Sequence, residues 1–322
     1  MKAIALLSGG LDSMLAALLV YRQNIEVICI TYATPFFGPA RAIESARQIG
    51  LPLEIEDITG PHLEMLKSPR YGFGKNMNPC IDCHTLMLKI AGDKMKSTGA
   101  DFLVTGEVLG QRPMSQTKQS LFVVAKNSGY ADHILRPLSA QLLSPIEAER
   151  DGRIDRSKLL AISGRGRKDQ MRLAEAFGIR NYPPPAGGCL LTDPIFSKRL
   201  RDLMSRGEDR GIRDYELLKY GRHFRTDDGI KIIVGRNKAD NDRMRKIMED
   251  DDLVCFMADY AGPSVLIPYG NESAKELAAA LCVRYSDAPA DTEASVVCRK
   301  DGKATTLKSK ALADEECRRL IL

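Results

Sequence analysis

The sequence predicts an α/β protein, in which a parallel sheet covered by helices on both faces is joined to a smaller α+β domain. Three observations predict it. In the first half, apolar β-rich runs alternate with amphipathic runs of helical period, the pattern of a buried parallel sheet. Beyond Asp193 that alternation changes character. The 322 residues are enough for a full α/β domain and a second, smaller one.

Lys2 to Leu7 is a short continuous apolar run, as a strand buried on both faces requires. Ser13 to Tyr21 reads as helix, Glu26 to Tyr32 as strand, and Ala40 to Ile49 as a helix ended by Gly50. Leu53 to Ile58 reads as strand, Cys83 to Met95 as helix and Phe102 to Thr105 as strand. A helix-like segment, Arg156 to Phe177, carries the basic cluster Arg165, Arg167, Lys168 and Arg172. The run Tyr182-Pro183-Pro184-Pro185-Ala186-Gly187-Gly188 cannot continue a helix, so it forms a loop that presents Cys189. Ile230 to Val234 and Ser264 to Ile267 read as strands, with a helix from about Asp240 to Met248. The charged, Gly-containing stretch Glu208 to Gly211 places the boundary, giving domains 1–208 and 209–322.

A hydrophobic fraction of 44% and a charged fraction of 28% describe an ordinary globular chain. The net charge of +5 fits a nucleic-acid partner and a basic metabolic enzyme equally, so it excludes neither. The first ten residues, MKAIALLSGG, are too short for a signal peptide. No stretch approaches the roughly 20 apolar residues of a membrane span. The expectation is a cytoplasmic protein.

Chemistry first enters at Ser8-Gly9-Gly10-Leu11-Asp12-Ser13, between the first strand and the first helix. Backbone N–H groups at a helix N-terminus attract an anion, Gly9 and Gly10 let backbone approach phosphate closely, and Ser8 and Ser13 add hydroxyl donors. Asp12 is out of place in a pure anion site unless it binds Mg²⁺ or shapes the loop. A Walker A loop needs a Lys that this sequence lacks. The alternative is a tight turn in which Asp12 caps a helix.

The eight cysteines fall into two groups. Cys29, Cys255, Cys282 and Cys298 lie among apolar neighbours and read as core thiols, while Cys317 lies in a charged tail. Cys80, Cys83 and Cys189 are flanked by Pro, Gly or polar residues. In Asn78-Pro79-Cys80-Ile81-Asp82-Cys83-His84 two thiols three residues apart at a helix start point the same way and clamp one metal or cluster. The helix N-terminus is expected to lower their pKa. Zinc, redox and accidental readings of this pair remain open. With Cys189 as a third thiolate, the set suits a 4Fe–4S cluster with one open iron better than a closed zinc site. His84 is either a fourth zinc ligand or a helix residue that faces solvent or serves as a capping partner.

These motifs carry a resemblance. The first loop resembles the PP-loop of the ATP pyrophosphatase superfamily, whose fold is of the adenine nucleotide alpha hydrolase type. Asn78-Pro79-Cys80-Ile81-Asp82-Cys83 is similar to the Asn-Pro-Cys-x-x-Cys segment of tRNA thiolases. Gly106-Glu107-Val108-Leu109-Gly110-Gln111, followed by Ser115-Gln116-Thr117, resembles a segment of 4-thiouridine synthetases. Cys189 also has a counterpart in these thiolases. The resemblance spans about the first 195 residues. It implies that ATP is held by Ser8 to Ser13 with Gly106 and Gln111, that Mg²⁺ accompanies it, and that a uridine carbonyl on tRNA is adenylated. Sulfur then displaces AMP, with Asp12, Cys80 and Cys189 as catalytic residues and Cys80, Cys83 and Cys189 as cluster ligands. Glu107 and Gln111 either position nucleotide or base or simply cap a helix. The RNA-binding module and rhodanese-like extension of 4-thiouridine synthetases are not found, so direct use of sulfide is expected beside a persulfide carrier.

Downstream, Tyr220-Gly221-Arg222-His223-Phe224, Asp228 to Asn237, Asn241, Asp252-Leu253 and Gly262-Pro263-Ser264 resemble the NFACT-R RNA-binding domain. Arg222, His223, Arg225, Lys231 and Arg236, interleaved with Tyr220 and Phe224, suit phosphate contact plus base stacking. The alternative is a solvated basic face. Arg165, Arg167 and Lys168 are a second candidate tRNA contact. The expected activity is tRNA thiolation, with 4-thiouridine at tRNA position 8 preferred to 2-thiouridine in the anticodon. Its rivals are a small-molecule amide- or nitrile-forming PP-loop ligase and a non-catalytic ATP-binding RNA factor.

Overall fold

The computed structural model describes residues 1–184 and 188–322; Pro185, Ala186 and Gly187 of the loop before Cys189 lie outside the described residues. The chain divides into two compact units, Met1–Asp193 and Pro194–Leu322.

In the first unit β1 (Lys2–Leu6), β2 (Glu26–Ala33), β3 (Leu53–Asp57), β4 (Phe102–Val104) and β5 (Ile134–Leu135) form a parallel sheet in the order β3-β2-β1-β4-β5. Alternate residues of each strand feed opposite faces. Ala3, Ala5, Val27, Cys29 and Val104 pack with α1 (Leu11–Tyr21), α2 (Ala40–Ile49) and, through Ala174, α7 (Lys168–Ala176). Ile4, Ile30, Tyr32 and Leu103 pack with α4 (Cys80–Thr98) and α5 (Lys118–Ser128). A strand apolar at every position is therefore a strand covered twice. The helices α3 (Thr59–Lys67) and α6 (Glu147–Arg150) complete the unit.

The helix expected over 156–177 is not continuous. A 3₁₀ turn at Arg156–Lys158 is followed by a loop in which Ser163 bridges to Leu109, and only then by α7. Gly164, at φ 83°, donates its N–H to Leu109 O at 2.7 Å, and this turn breaks the helix. Arg165 and Arg167 thus precede the helix instead of lying along it.

The second unit holds an antiparallel sheet in the order β11-β10-β8-β9-β7-β6. Its strands are β6 (Arg222–Arg225), β7 (Lys231–Val234), β8 (Leu253–Met257), β9 (Val265–Ile267), β10 (Ala294–Lys300) and β11 (Lys303–Ser309). One face packs on α11 (Lys275–Arg284), the other on α9 (Ile212–Leu217) and α10 (Lys238–Arg245). α12 (Asp314–Leu320) adds Cys317 and Leu320 to the larger core. The boundary falls at Asp193/Pro194, not near 208–211. The helix α8 (Pro194–Ser205) belongs to the second unit because Arg199 donates to Leu218 O and Gly221 O, both at 2.9 Å, and Asp202 pairs with Arg225. Among the described residues no helix is long and apolar enough to cross a membrane.

Burial, with the Arg225 guanidinium beside it, brings the Lys231 ammonium down to about 8 from 10.5. The folded state therefore releases this proton first. Between about pH 8 and 10.5 the unfolded state binds more protons, so the stability of this unit is expected to rise through that window. The rise is on the order of 3 kcal/mol and should be missing from Lys231→Met when denaturation midpoints of the two proteins are compared across that range.

Candidate active site

The first loop leaves β1 at its carboxyl end, where open parallel sheets bind ligands. Gly10 sits at the N-cap of α1 with no side-chain cap, and Asp12 lies in the first turn, so the reading of Asp12 as a cap does not hold. Ser13 Oγ donates to Gly10 O at 2.7 Å and lies 3.4 Å from Ser8 Oγ. Gly9 has φ 80°, and a Cβ there would lie 2.6 Å from backbone carbon of Arg41. Gly106, just past β4, is required by space alone: its Cβ would meet Ser13 N at 2.5 Å. The two sheet-end segments are thus packed backbone to backbone.

Gln111 Nε2 donates to Asp12 Oδ2 at 2.9 Å. Burial raises the Asp12 carboxyl above its ordinary range, while the Gln111 hydrogen bond and the charges of Arg167 and Arg112 pull it down. Asp12 Oδ1, Gln111 Oε1 and Arg167 Nε are buried polar atoms with no hydrogen-bond partner. A carboxylate oxygen and a guanidinium nitrogen left unmet in one place fit a divalent cation and a phosphate respectively. Arg167 is half-buried, lies within electrostatic reach of Asp12 and has its guanidinium 6.0 Å from the centre of the Tyr182 ring. Arg112, which directly follows the Gly106–Gln111 segment, shares its field.

The thiols form a second focus in the same unit. Cys80 begins α4 and accepts from Asn78 Nδ2 at 3.2 Å, and Cys83 follows one turn later. The Cys189 segment is tied down by Leu190 N–H to Phe36 O at 2.9 Å and by Asn76 Nδ2 to Thr192 O at 2.7 Å. Burial pushes the Cys83 thiol well above its ordinary value, and Cys189, Cys80 and Asp82 push it further. Burial also takes Cys189 up to about 11, with Cys80 adding to the rise. The three sulfurs thus act on one another pairwise. The expected lowering by the helix N-terminus is overturned at Cys83, where desolvation and neighbouring thiols outweigh it. Among the described residues no group of three His, Cys, Asp or Glu side chains is arranged to hold a metal ion.

His62 is a member of this site that sequence did not reveal. It is wholly buried, its ring lies 5.5 Å from Phe36 and 5.4 Å from Phe37, and its Nε2 is 3.5 Å from Cys83 Sγ. His84 is partly exposed but held on one side by a partner. Its Nδ1 lies 3.0 Å from Glu107 Oε1, and Glu107 Oε2 accepts from Arg136 Nε at 2.9 Å and from Thr105 Oγ1 at 3.2 Å. Burial works against the Glu107 carboxylate, yet Arg136 and His84 together hold it down at about 2. Glu107 is therefore a buried anchor and caps no helix. The covalent run Cys83-His84, the His84–Glu107 contact and the seat of Gly106 on Ser13 link the thiols to the loop.

The expected RNA contacts need correction. Arg225 is buried between Asp202 and Glu208, Lys231 is buried beside it, and His223 and Phe224 are fully enclosed. Their acidic partners lie about 20 residues upstream, where no motif links them to β6. Arg222 is half-buried with its guanidinium 4.5 Å from the centre of the Tyr285 ring, and Arg236 pairs with Asp240 at 2.5 Å. Arg165 and Lys168 are exposed.

Residues 1–142 match the family described as thiamine biosynthesis protein (ThiI), and residues 221–321 match the NFACT protein RNA binding domain. A probable tRNA sulfurtransferase of Thermococcus kodakarensis is 33% identical over 147 residues, 42% of this chain and 36% of that protein. A tRNA-specific 2-thiouridylase of Pelobacter propionicus is 27% identical over 193 residues, 56% of this chain and 50% of that protein. Among solved structures, a 4-thiouridine synthetase–RNA complex with bound ATP is 21% identical, covering 67% of this chain and 52% of that one, with a TM-score of 0.40. The chain spans between about a third and a half of the length of these two curated relatives. By these matches the chain carries a ThiI family-model domain in its first 142 residues and an NFACT RNA-binding domain over residues 221–321.

Proposed function

We propose that this chain transfers sulfur to a uridine of tRNA in an ATP-dependent reaction that yields 4-thiouridine. The observation that carries the reading is the link between the phosphate-type loop and the three thiols through Gly106, Glu107 and His84. A similarity to tRNA sulfurtransferases supports it.

The residues divide the work. The N–H groups of Gly9 and Gly10 and the hydroxyls of Ser8 and Ser13 hold the phosphates of ATP. Arg112 and Arg167 offset charge as the uridine carbonyl oxygen attacks the α-phosphate and pyrophosphate leaves. Gln111 orients Asp12 through one carboxylate oxygen and leaves the other for Mg²⁺, which when bound screens the departing pyrophosphate. Adenylation makes the base oxygen a good leaving group, so that sulfur can displace AMP.

The donor chemistry of Cys80, Cys83 and Cys189 fits a 4Fe–4S cluster, which when bound supplies an open iron position for sulfide. Zinc is the lesser alternative, with His84 as a fourth ligand through Nε2 while its Nδ1 engages Glu107. Free sulfide or a persulfide carrier is the sulfur source. The second unit and the exposed Arg165 and Lys168 contact tRNA. The preference for 4-thiouridine follows the likeness of Gly106 to Gln111 to 4-thiouridine synthetases. The longer match to a 2-thiouridylase favours 2-thiouridine as the second reading.

Pyrophosphate and AMP release that depends on added tRNA is the expected result. Release at full rate without RNA would favour a small-molecule substrate instead. Arg167→Ala should raise the KM for ATP roughly 10- to 100-fold, the worth of a charge-assisted hydrogen bond to phosphate. An unchanged KM would remove Arg167 from the nucleotide site.

A further inference from the structure

In the second unit Cys255 on β8 and Cys298 on β10 stand directly opposite in an antiparallel ladder. Both are buried in the core beneath α11, and their sulfurs lie 2.6 Å apart. Paired residues in such a ladder have Cα atoms about 4.5–5.5 Å apart, inside the roughly 4.4–6.8 Å range that a disulfide bridges. Two small core hydrophobes do not need this approach, and Cys29, alone in the first core, shows the simpler arrangement. We propose that Cys255 and Cys298 are an oxidation site, a cross-strand thiol pair that hydroperoxide converts to a disulfide stapling the β10–β11 hairpin to the rest of the sheet.

The step balances with either thiol leading. One sulfur, as thiolate, attacks one peroxide oxygen, which breaks the O–O bond, forms a sulfenic acid and releases hydroxide. The other sulfur, 2.6 Å away, then displaces the sulfenic oxygen, forming the S–S bond and releasing water. Two sulfurs are oxidised by two electrons in all, and one peroxide is reduced. Cys282, the third thiol nearby, contacts Pro263 O at 3.6 Å and stands outside the ladder pair. A site this enclosed selects a small, uncharged oxidant over a bulky disulfide. The staple fixes a hairpin that exposes Arg299, Lys303 and Lys308.

The inference rests on the β8–β10 register and is independent of the sulfur-transfer reading. The full-length protein treated with hydrogen peroxide, unfolded, alkylated and digested without reductant should give one cross-linked peptide pair containing Cys255 and Cys298, lighter by two hydrogens than the separate peptides. Oxidised glutathione should give none at the same exposure. The link should raise the unfolding temperature of this unit by roughly 10 °C, a shift absent from Cys298→Ala. Alkylated Cys255 and Cys298 after peroxide treatment, or a bridge from either to Cys282, would overturn the assignment. The mapping uses the unaltered chain, so it does not depend on the variant folding.

Discussion

Cys83→Ala is expected to lower tRNA thiolation by on the order of 10³-fold or more while leaving ATP binding within about twofold. Cys83 is the thiol on which the other two converge electrostatically and the one that His62 approaches. Losing it removes a thiol that acts as ligand or sulfur-handling group. Serine fails for the same reason, since its hydroxyl is neither a thiophilic ligand nor a sulfur carrier. The ATP loop is spared because its contact with this region runs through His84 and Glu107, which the substitution leaves in place. Single-turnover thionucleoside yield and equilibrium ATP binding, measured on the same preparation, separate the two effects. Retention of a tenth of the thiolation would remove Cys83 from the chemistry.

The second large effect is on stability. Arg136→Met should destabilise the first unit by about 3–5 kcal/mol, because it leaves the Glu107 carboxylate buried with its main counter-charge gone. Adding Glu107→Gln should recover part of that loss, since the stranded charge goes with it. Acid should mimic the single substitution. The folded carboxyl lies at about 2, below its ordinary 4.5, so the pair's contribution is fully present above about pH 4.5 and is lost as pH falls toward 2. Peptide-resolved hydrogen exchange suits the measurement, because the chain has no Trp to report unfolding. Equal protection of β4 and α4 in wild type and variant would show that the ion pair stabilises nothing.

What was legible from sequence was what short-range chemistry determines. β1 was readable because burial on both faces makes Ala3 to Leu6 apolar throughout, and Ser8 to Ser13 because only glycine tolerates the backbone contacts that Gly9 makes. Cys189 could be singled out with Cys80 and Cys83 because an isolated thiol in a Pro/Gly loop has little packing value, and the three thiols influence one another's charge. The failures share a cause, which is partnership across the fold. Arg225 and Lys231 carry charges that read as surface until Asp202 and Glu208 are seen beside Arg225. The charged stretch 208–211 has the composition of a linker but lies inside the unit that α8 opens. Arg167 sat in a basic cluster whose common face vanished when Gly164 broke the helix. His62 gave no signal at all, since a lone histidine in a helix is usually only packed.

Nucleoside mass spectrometry of unmodified tRNA, incubated anaerobically with the purified protein, ATP, Mg²⁺ and a sulfide donor, tests the sulfur-transfer role most directly. A tRNA sulfurtransferase built as described yields 4-thiouridine, with one AMP per modified base, and yields none when ATP is withheld or when Cys80, Cys83 or Cys189 is replaced by alanine. AMP release without any thionucleoside, with either sulfide or a persulfide carrier as donor, would contradict it.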